Sequence, residues 1–351
     1  MISRIPSRLS VLDLTWLTDR LAGLVPFLEG RTILLTGGTG LFGKWLLESY
    51  VALRLAHPFS GEVRILSRNP ESFLARNPYF AQFPFLKFFS GDVRTASIPS
   101  APVDFVIHAA TEASAKLEKE QPDEMFSVIV DGTRHILKLA RRDGALRFLF
   151  VSSGAVYGPQ PPDLPNIPED FPCAPVTFYG RGKFQAEQMV LEAASRTGMA
   201  VVIPRCFAFV GPYLNLGIHF AAGNFLRNAL DREPILIRGD GTPFRSYLYA
   251  AELAVWLWTL LLKAPTQSIF NVGSPEPISI LELARAVSAL LPEPLPIEVL
   301  QKAEPNVLPP RYVPSVERIA SELGLVPEIS LSEALRKTLA FHQRPIPQAK
   351  D

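Results

Sequence analysis

The sequence predicts an α/β protein with a doubly wound parallel sheet and a smaller C-terminal α/β lobe. Short, continuously apolar segments alternate with helical patterns through the first two-thirds of the chain, as expected for parallel strands buried on both faces. A glycine-rich turn follows the first apolar segment. The alternation of apolar segments and helical patterns ends after Pro212. The predicted strands of the sheet cover 33–36, 63–67, 86–90, 105–108, 148–152 and 201–205.

Length and composition limit the possible functions. A chain of 351 residues can form one large α/β unit, or one with a smaller appended lobe. Its net charge of +1 argues against a general affinity for nucleic acid or for anionic membranes. The two cysteines, Cys173 and Cys206, provide neither a metal-ligand spacing nor a disulfide framework. We therefore expect no metal site and a reducing, cytoplasmic environment.

The segments around the sheet are predicted to be helical. Residues 11–28 have the pattern of an amphipathic helix, and charged residues interrupt the apolar core that a signal peptide needs. This pattern predicts an N-terminal helical extension over residues 1–30, packed on the edge of the fold. The apolar stretch 253–262 is too short to span a bilayer and is predicted to be a buried core helix.

The glycine-rich turn points to a bound dinucleotide. Residues 36–43 read Thr-Gly-Gly-Thr-Gly-Leu-Phe-Gly, and a predicted helix opens at Lys44. Gly37 permits a tight turn, Gly40 lets a pyrophosphate approach the backbone, and Gly43 lets the helix pack on the strand. The helix N-terminus then faces the phosphates. Because the spacing is G-x-x-G-x-x-G, an ordinary strand-to-helix turn is the alternative interpretation.

Three polar residues extend this pattern into an ordered set. Ser153 follows an apolar run, and Tyr179 and Lys183 come one helical turn apart at the start of a helical pattern. With these residues the sequence resembles the extended short-chain dehydrogenase/reductase family, in its branch of nucleotide-sugar epimerases, dehydratases, decarboxylases and ketoreductases. The resemblance covers the chain from about Arg31. Further matching segments are 91–93, 106–110, 132–133, 205–212, 223–225, 239–242 and 245–247.

The resemblance implies an organisation and partners. It implies a Rossmann-type NAD(P)-binding domain over residues 31–206 and a mainly substrate-binding lobe over 207–351, part of which, near 269–273, returns to the main sheet. The implied substrate is a nucleotide-diphosphate sugar, with Asn224 and Arg245 at its diphosphate. Relatives dimerise through two helices that correspond here to 123–140 and 178–195, so we expect a homodimer. Apolar residues at helical spacing in the first of these helices include Phe126, Ile129, Ile136 and Leu137.

The resemblance also implies catalytic roles. Tyr179 is the predicted proton acceptor or donor for a sugar hydroxyl, and Ser153 hydrogen-bonds the same oxygen. A free tyrosine has a pKa near ~10, so we expect the ammonium of Lys183 to lower it. By resemblance Lys183 also holds the nicotinamide ribose. Ser152 competes with Ser153, but counting back from Val156-Tyr157-Gly158 selects Ser153.

The predicted coenzyme is NADP or NAD, with NADP favoured. NAD enzymes of this fold usually end the second strand with an acidic residue, whereas here Ser67 and Arg68 stand there. A guanidinium can pair with a 2′-phosphate, and the alternative is that Arg68 stacks on the adenine of NAD. By resemblance Asp92 accepts a hydrogen bond from the adenine amino group. The predicted coenzyme-binding residues are Gly37, Thr39, Gly40, Leu41, Phe42, Gly43, Ser67, Arg68, Asp92, Val93, Ala109, Ala110, Thr111, Val151, Tyr179, Lys183 and Cys206.

The residues after Ser153 narrow the reaction. Related 4,6-dehydratases carry Asp and Glu there, and related decarboxylases carry Glu at the second position, whereas this chain has Gly154 and Ala155. We therefore expect a nucleotide-diphosphate-sugar epimerase or 4-ketoreductase that exchanges a hydride at C4. Both reactions need the same residues, so the sequence does not separate them. The alternatives are a 4,6-dehydratase or decarboxylase, or a non-catalytic NADP-sensing protein on the same fold.

Overall fold

The structure is a computed structural model that describes residues 7–111, 115–217 and 220–343. The first seven strands in chain order are β1 (Arg31–Thr36), β2 (Gly61–Ser67), β3 (Leu86–Ser90), β4 (Phe105–His108), β5 (Arg147–Phe150), β6 (Ser152–Ser153) and β7 (Ala200–Cys206). The later strands are β8 (Phe209–Val210), β9 (Ile235–Ile237), β10 (Phe244–Arg245), β11 (Leu248–Tyr249), β12 (Ser268–Val272), β13 (Ile278–Ser279), β14 (Ile297–Val299) and β15 (Arg311–Tyr312).

Helices pack around these strands. In chain order they are α1 (Val11–Leu21), α2 (Val25–Leu28), α3 (Leu41–Ala56), α4 (Pro70–Arg76), α5 (Ala115–Glu120), α6 (Pro122–Arg142), α7 (Phe178–Thr197), α8 (Ala221–Asp231), α9 (Ala250–Lys263), α10 (Ile280–Ser288), α11 (Glu317–Leu323) and α12 (Leu331–Gln343). Among the helices of the described ranges, none is long and apolar enough to cross a membrane.

A parallel sheet with the order β3-β2-β1-β4-β5-β7-β12 forms the centre. The order reverses between β1 and β4, and ligands of such sheets bind at this switch point, beyond the carboxyl ends of the strands. The prediction of a Rossmann-type doubly wound sheet is confirmed. The predicted return of the chain near 269–273 is also found, because β12 pairs with β7 from Ser268 to Val272.

One predicted strand is divided in two. The expected strand over 148–152 ends at Phe150, and the separate strand β6 carries Ser152 and Ser153. Both pieces keep the same register against β7, which puts Val151 opposite Pro204. A proline has no N–H to give to a ladder, so the prediction of a continuous strand is wrong at this point. The backbone of Val151 itself faces β4, where its N–H donates to the His108 carbonyl, and its own carbonyl accepts from the side chain of Lys183.

The N-terminal extension packs against α3 and α9, as predicted for a helix on the edge of the fold. It is not one continuous helix, since a 3₁₀ turn over Ala22–Leu24 separates α1 from α2. Pro26 accounts for the break, because its ring would clash with the carbonyl four residues earlier. Leu14 and Leu17 anchor α1 in the core. The predicted core helix over 253–262 lies inside α9, which is buried along nearly all its length.

The C-terminal lobe contains short sheets beside the carboxyl ends of the main strands. The strands pair as β13-β10-β15, β8-β11 and β9-β14. Helix α10 begins with a capping box in which Ser279 and Glu282 satisfy each other's backbone N–H groups. The pairing of β10 with β15 is important for function, since it sets Arg245 beside Tyr312 at the edge of the cleft.

Candidate active site

The glycine-rich turn adopts the geometry that a dinucleotide requires. Gly37 has φ +73°, and a Cβ there would lie 2.5 Å from the Ala109 carbonyl oxygen. A Cβ at Gly43 would lie 2.3 Å from the backbone of the turn, whereas one at Gly40 would meet nothing closer than 3.5 Å. Helix α3 begins at Leu41, earlier than predicted, so its N-terminal amides point out of the turn itself.

The end of β2 lies against this turn. The hydroxyl oxygens of Thr39 and Ser67 are 3.4 Å apart. Arg94 forms two side-chain hydrogen bonds to the Asp92 carboxylate, at 2.9 Å and 2.8 Å, and these bonds hold the pKa of Asp92 low, at about 2. The positive charge of Arg68 also lowers that pKa, which places its guanidinium near Asp92. The adenine contact of Asp92 and the 2′-phosphate contact of Arg68 stay predictions.

The other predicted coenzyme contacts lie around the same edge. Phe42, in the first turn of α3, packs edge-on against Phe209 with ring centres 5.1 Å apart. Val93 packs so closely on α6 that a Cβ at Gly132 would lie 2.8 Å from it. Cys206 is buried at the end of β7, where burial raises its thiol pKa well above the usual range. In the described ranges, no three His, Cys, Asp or Glu side chains gather to form a metal site.

His108, buried at the end of β4, links the loop after this strand to the sheet and to α6. His108 Nδ1 lies 2.7 Å from the Thr36 hydroxyl, and Nε2 lies 3.1 Å from the Thr133 hydroxyl. Thr133 donates to the Ile129 carbonyl, and Thr36 accepts from the Ala110 N–H, so Nδ1 accepts and Nε2 donates. Burial lowers the pKa of His108 to about 3, which keeps this chain of bonds intact. The role of His108 is therefore structural.

Lys183 is buried and held by groups from two loops. Its ammonium donates to the Val151 carbonyl at 2.7 Å and to the Thr111 hydroxyl at 2.8 Å. Burial lowers the pKa of Lys183 to about 7, although Cys206 and Glu187 act in the opposite direction. These two bonds use two of its three N–H donors. The third is the donor to which the family resemblance assigns the ribose of the coenzyme.

Tyr179 and Ser153 meet beside this lysine. Burial raises the pKa of Tyr179 to about 12, and a hydrogen bond with Ser153 opposes the rise. The sequence predicted that Lys183 lowers the pKa of Tyr179. In the structure Lys183 does not contribute to this pKa, and burial raises it. The Lys183 ammonium lies 5.9 Å from the centre of the tyrosine ring and bonds to other groups. The phenol is thus protonated at neutral pH, the state that can donate a proton to a keto sugar.

The start of α7 is fixed tightly enough to place Tyr179. The Thr177 hydroxyl accepts from the Gly180 N–H at 3.0 Å, and the Glu118 carboxylate accepts from the N–H groups of the first two residues of the helix. A Cβ at Gly180 would lie 2.6 Å from the Ala155 carbonyl oxygen. Only glycine therefore allows α7 to approach the segment that carries Ser153.

A buried ion pair lies behind the two serines. Glu187, one turn after Lys183, accepts two hydrogen bonds from Arg205 at 3.1 Å and 2.8 Å. The Ser152 hydroxyl also donates to Glu187 and is therefore directed away from the cleft. Ser153 is left facing Tyr179, which agrees with its selection over Ser152. Glu187 and Arg205 were not among the residues predicted from the sequence, although Glu187 lies four residues after Lys183 and Arg205 opens the matching segment 205–212.

The two predicted substrate residues lie on different elements, Arg245 on β10 and Asn224 on α8. Arg245 is paired with Tyr312 in the short sheet; burial raises the pKa of that phenol, and the charge of Arg245 opposes the rise. Asn224 lies on α8 with its side chain exposed to solvent. The structure therefore brings Arg245 to the catalytic centre, whereas the contact of Asn224 with a diphosphate stays a prediction. Tyr312 was missed from the sequence because it is far along the chain and belongs to no recognised motif.

The position after Ser153 has no room for a side chain. A Cβ at Gly154 would lie 2.7 Å and 2.8 Å from two ring carbons of Phe207 and 2.8 Å from the Tyr312 hydroxyl. The next residue, Ala155, carries no acid. The acids that the resemblance assigns to dehydratases and decarboxylases are therefore absent from both positions.

Comparison with known proteins identifies the family of this chain. The model of the NAD dependent epimerase/dehydratase family matches residues 33–273, which is more than half of the chain. This protein belongs to that family. UDP-glucuronic acid decarboxylase 1 of Danio rerio is 27% identical over 328 residues, covering 91% of this chain and 74% of that protein. UDP-glucuronic acid decarboxylase 1 of Arabidopsis thaliana is 29% identical over 332 residues, covering 91% and 72%.

Solved structures of other family members share the fold. The UDP-glucose 4-epimerase of Thermotoga maritima matches with a TM-score of 0.74 and 19% identity, covering 89% of this chain and 99% of that chain. The UDP-glucuronic acid 4-epimerase of Bacillus cereus matches with a TM-score of 0.76 and 18% identity, covering 89% and 98%. The latter structure was determined with NAD and UDP-glucuronic acid.

The residues of the cleft fit the family's coenzyme. The turn at Gly40 leaves space beside the N-terminus of α3, which suits a pyrophosphate. By resemblance, Lys183 would hold the ribose with its remaining N–H, and Thr39 and Ser67, which lie together beside the turn, would face the adenosine end. When bound, a nicotinamide coenzyme accepts or returns a hydride, and its oxidised ring adds positive charge that favours the tyrosinate form of Tyr179.

The low pKa of His108 predicts a specific pH dependence of stability. An unfolded histidine titrates near ~6.5, so the unfolded state takes up the proton first as the pH falls. The contribution of His108 is complete above pH ~6.5 and is lost progressively towards its folded pKa of about 3. Between pH ~6.5 and ~5, wild type should lose about 2 kcal/mol of unfolding free energy that His108→Gln does not lose, measured by urea titration. His57→Gln, at an exposed position, is the control. Equal losses in wild type and His108→Gln would contradict the assignment.

Proposed function

We propose that the protein exchanges a hydride at C4 of a nucleotide-diphosphate sugar, as an epimerase or 4-ketoreductase. The observation that carries this proposal is the meeting of Tyr179, Ser153 and Lys183 in a centre with no acid at positions 154 and 155. Tyr179 takes the proton from the C4 hydroxyl or returns it, and Ser153 stabilises the charge that develops on the same oxygen. No proton-abstracting group is needed at a second sugar carbon.

UDP-glucuronic acid decarboxylation is the second candidate. Relatives with this activity resemble the chain over about nine-tenths of its length, at 27% and 29% identity in the two examples above. Oxidation at C4 is the first step of this reaction too, since it converts the sugar into a β-keto acid. A β-keto acid loses carbon dioxide without a base that removes a carbon-bound proton, whereas dehydration needs such a base. Gly154 and Ala155 favour the first candidate, and the relatives favour the second.

Mass spectrometry of the products separates the candidates. The protein is incubated with UDP-glucuronic acid or UDP-glucose and with NAD, NADP or their reduced forms. An unchanged mass together with a second chromatographic peak for the C4 epimer supports an epimerase, and loss of two hydrogens from the sugar with an oxidised coenzyme supports a ketoreductase running in reverse. A loss of carbon dioxide identifies the decarboxylase, and a loss of water would contradict the interpretation of position 154.

A homodimer also remains a proposal, with a correction to the predicted interface. Ile129 and Ile136 are 1% and 0% exposed, because they pack beneath α7 within the subunit. The prediction that they face a partner is therefore wrong. Phe126 and Leu137 are half-buried on the same helix, so they are the apolar residues of the original set that can contact a second copy.

Tyr179→Phe should separate binding from chemistry. The substitution removes the acid/base oxygen, so turnover should fall by at least about a hundredfold while coenzyme affinity changes little. Steady-state kinetics and calorimetry with NAD and NADP measure the two effects. The control is Tyr50→Phe, which removes a buried phenol oxygen on α3, in a part of the sequence remote from Ser153, Tyr179 and Lys183. This variant should keep full activity. Near-normal turnover of Tyr179→Phe would refute the assignment.

Arg68→Ala tests the choice of coenzyme. If Arg68 binds a 2′-phosphate through charge-assisted hydrogen bonds, wild type should prefer NADP over NAD by about ten- to a hundredfold. The substitution should remove most of that preference by weakening NADP binding, as measured by calorimetry. Arg76→Ala, at an exposed position on α4, is the matched control. Equal affinities of wild type for the two coenzymes would show that Arg68 does not select NADP.

A further inference from the structure

The space beside Ser153 is filled from a distant part of the chain. The missing side chain of Gly154 is replaced by the ring edge of Phe207 and by the hydroxyl of Tyr312. That hydroxyl lies 2.8 Å from the point where the Cβ of residue 154 would stand. A polar atom is thus present where related dehydratases carry a carboxylate, but it belongs to a phenol from another strand.

Tyr312 is held in place on both sides. Its strand β15 pairs with β10, in register with Arg245, and its ring packs on Phe207 with the ring centres 4.6 Å apart. The next residue, Val313, is fully buried and donates its N–H to the Gln160 side chain at 2.8 Å. The direction of the hydroxyl is therefore set by packing and by backbone pairing.

The Tyr312 hydroxyl and Tyr179 both lie beside Ser153. The Ser153 side chain opposes the rise that burial causes in the pKa of each phenol, and its Oγ accepts a hydrogen bond from the Ala155 N–H at 3.2 Å. Burial still raises the pKa of Tyr312 above its ordinary value, so this phenol is protonated at neutral pH and can act as a donor. A donor on one side of Ser153 leaves the serine proton to be directed to the other side, where Tyr179 and the sugar oxygen lie.

We propose that Tyr312 is a positioning residue of the active site, whose hydroxyl orients Ser153 towards the reacting sugar oxygen. The proposal deepens the proposed function and rests on it for the identity of the reaction. It also explains Gly154, because any side chain there would displace the Tyr312 hydroxyl or the Phe207 ring. A purely structural Tyr312 would fill space with its ring, and phenylalanine would then serve equally well.

The first test needs no substrate. The protein is labelled with ¹³C at the ζ carbon of its eight tyrosines, and the Tyr312 resonance is assigned by its loss in Tyr312→Phe. The Tyr312 resonance should shift in Ser153→Ala, and the Tyr179 resonance should shift in Tyr312→Phe. Tyr50→Phe, which removes a remote phenol oxygen, should move neither. A Tyr312 resonance that is identical in wild type and Ser153→Ala would overturn the proposal.

The second test is a double-mutant cycle of turnover. With UDP-glucose or UDP-glucuronic acid and NAD or NADP, Tyr312→Phe should lower kcat about tenfold with little change in KM. In the Ser153→Ala background the same substitution should lower kcat less than about twofold, because the hydroxyl acts through Ser153. The proposal would be overturned if Tyr312→Phe lowered kcat by the same factor in both backgrounds, or if it left the kcat of wild type unchanged. Equal thermal midpoints of wild type and Tyr312→Phe show that the ring packing is retained.

The two tests separate this proposal from the proposed function. If wild type turns over neither nucleotide sugar, the proposed function fails for these substrates, and the resonance shifts alone decide whether Tyr312 contacts Ser153. If wild type turns over a nucleotide sugar, the proposed function stands. If the Tyr312 resonance does not respond to Ser153→Ala and Tyr312→Phe lowers kcat by the same factor with and without Ser153, the role of Tyr312 is refuted.

Discussion

The bond from the Lys183 ammonium to the Val151 carbonyl is the interaction on which the site depends. It forms beyond the end of β4: Val151 faces that strand through its N–H bond to the His108 carbonyl, and the Ala110 N–H bonds to Thr36, which leaves the Val151 carbonyl to Lys183. The bond fastens α7 to the broken strand and so brings Tyr179 to Ser153. It also places a buried amine at the sheet edge, where burial holds its pKa at about 7. Its charge is therefore sensitive to what lies beside it, which suits a group that assists a proton transfer.

The groups behind this bond make the arrangement rigid. Glu187 lies one turn beyond Lys183 and forms a buried ion pair with Arg205 of β7. Removing one member of such a pair leaves an uncompensated buried charge, at a cost of about 3 to 5 kcal/mol. The His108 chain performs a similar task on the other side of the switch point, linking the loop at Ala110 to α6. Catalytic side chains are thus mounted on elements that are fixed independently of any ligand.

The sequence predicted those features that depend on local patterns, and it missed those that arise from contacts between distant segments. The glycine turn, the sheet and the Ser153, Tyr179 and Lys183 set are each visible in a short stretch. The break at Val151 depends on a proline in another strand, and Tyr312 reaches the site only through the pairing of β15 with β10. Helical spacing placed Ile129 and Ile136 on an apolar face, but it could not show that this face is covered by α7. The pKa of Tyr179 was predicted in the wrong direction because burial outweighs a lysine that is engaged elsewhere.

The central claim is that Tyr179, Ser153 and Lys183 support hydride exchange at C4 of a nucleotide sugar. The most direct measurement follows the absorbance of the reduced nicotinamide after the protein and oxidised coenzyme are mixed with UDP-glucose or UDP-glucuronic acid that carries hydrogen or deuterium at C4. The account predicts slower formation of the reduced form with the deuterated sugar, and deuterium in the recovered coenzyme. Reduction at the same rate with both sugars, with no deuterium in the coenzyme, would contradict it.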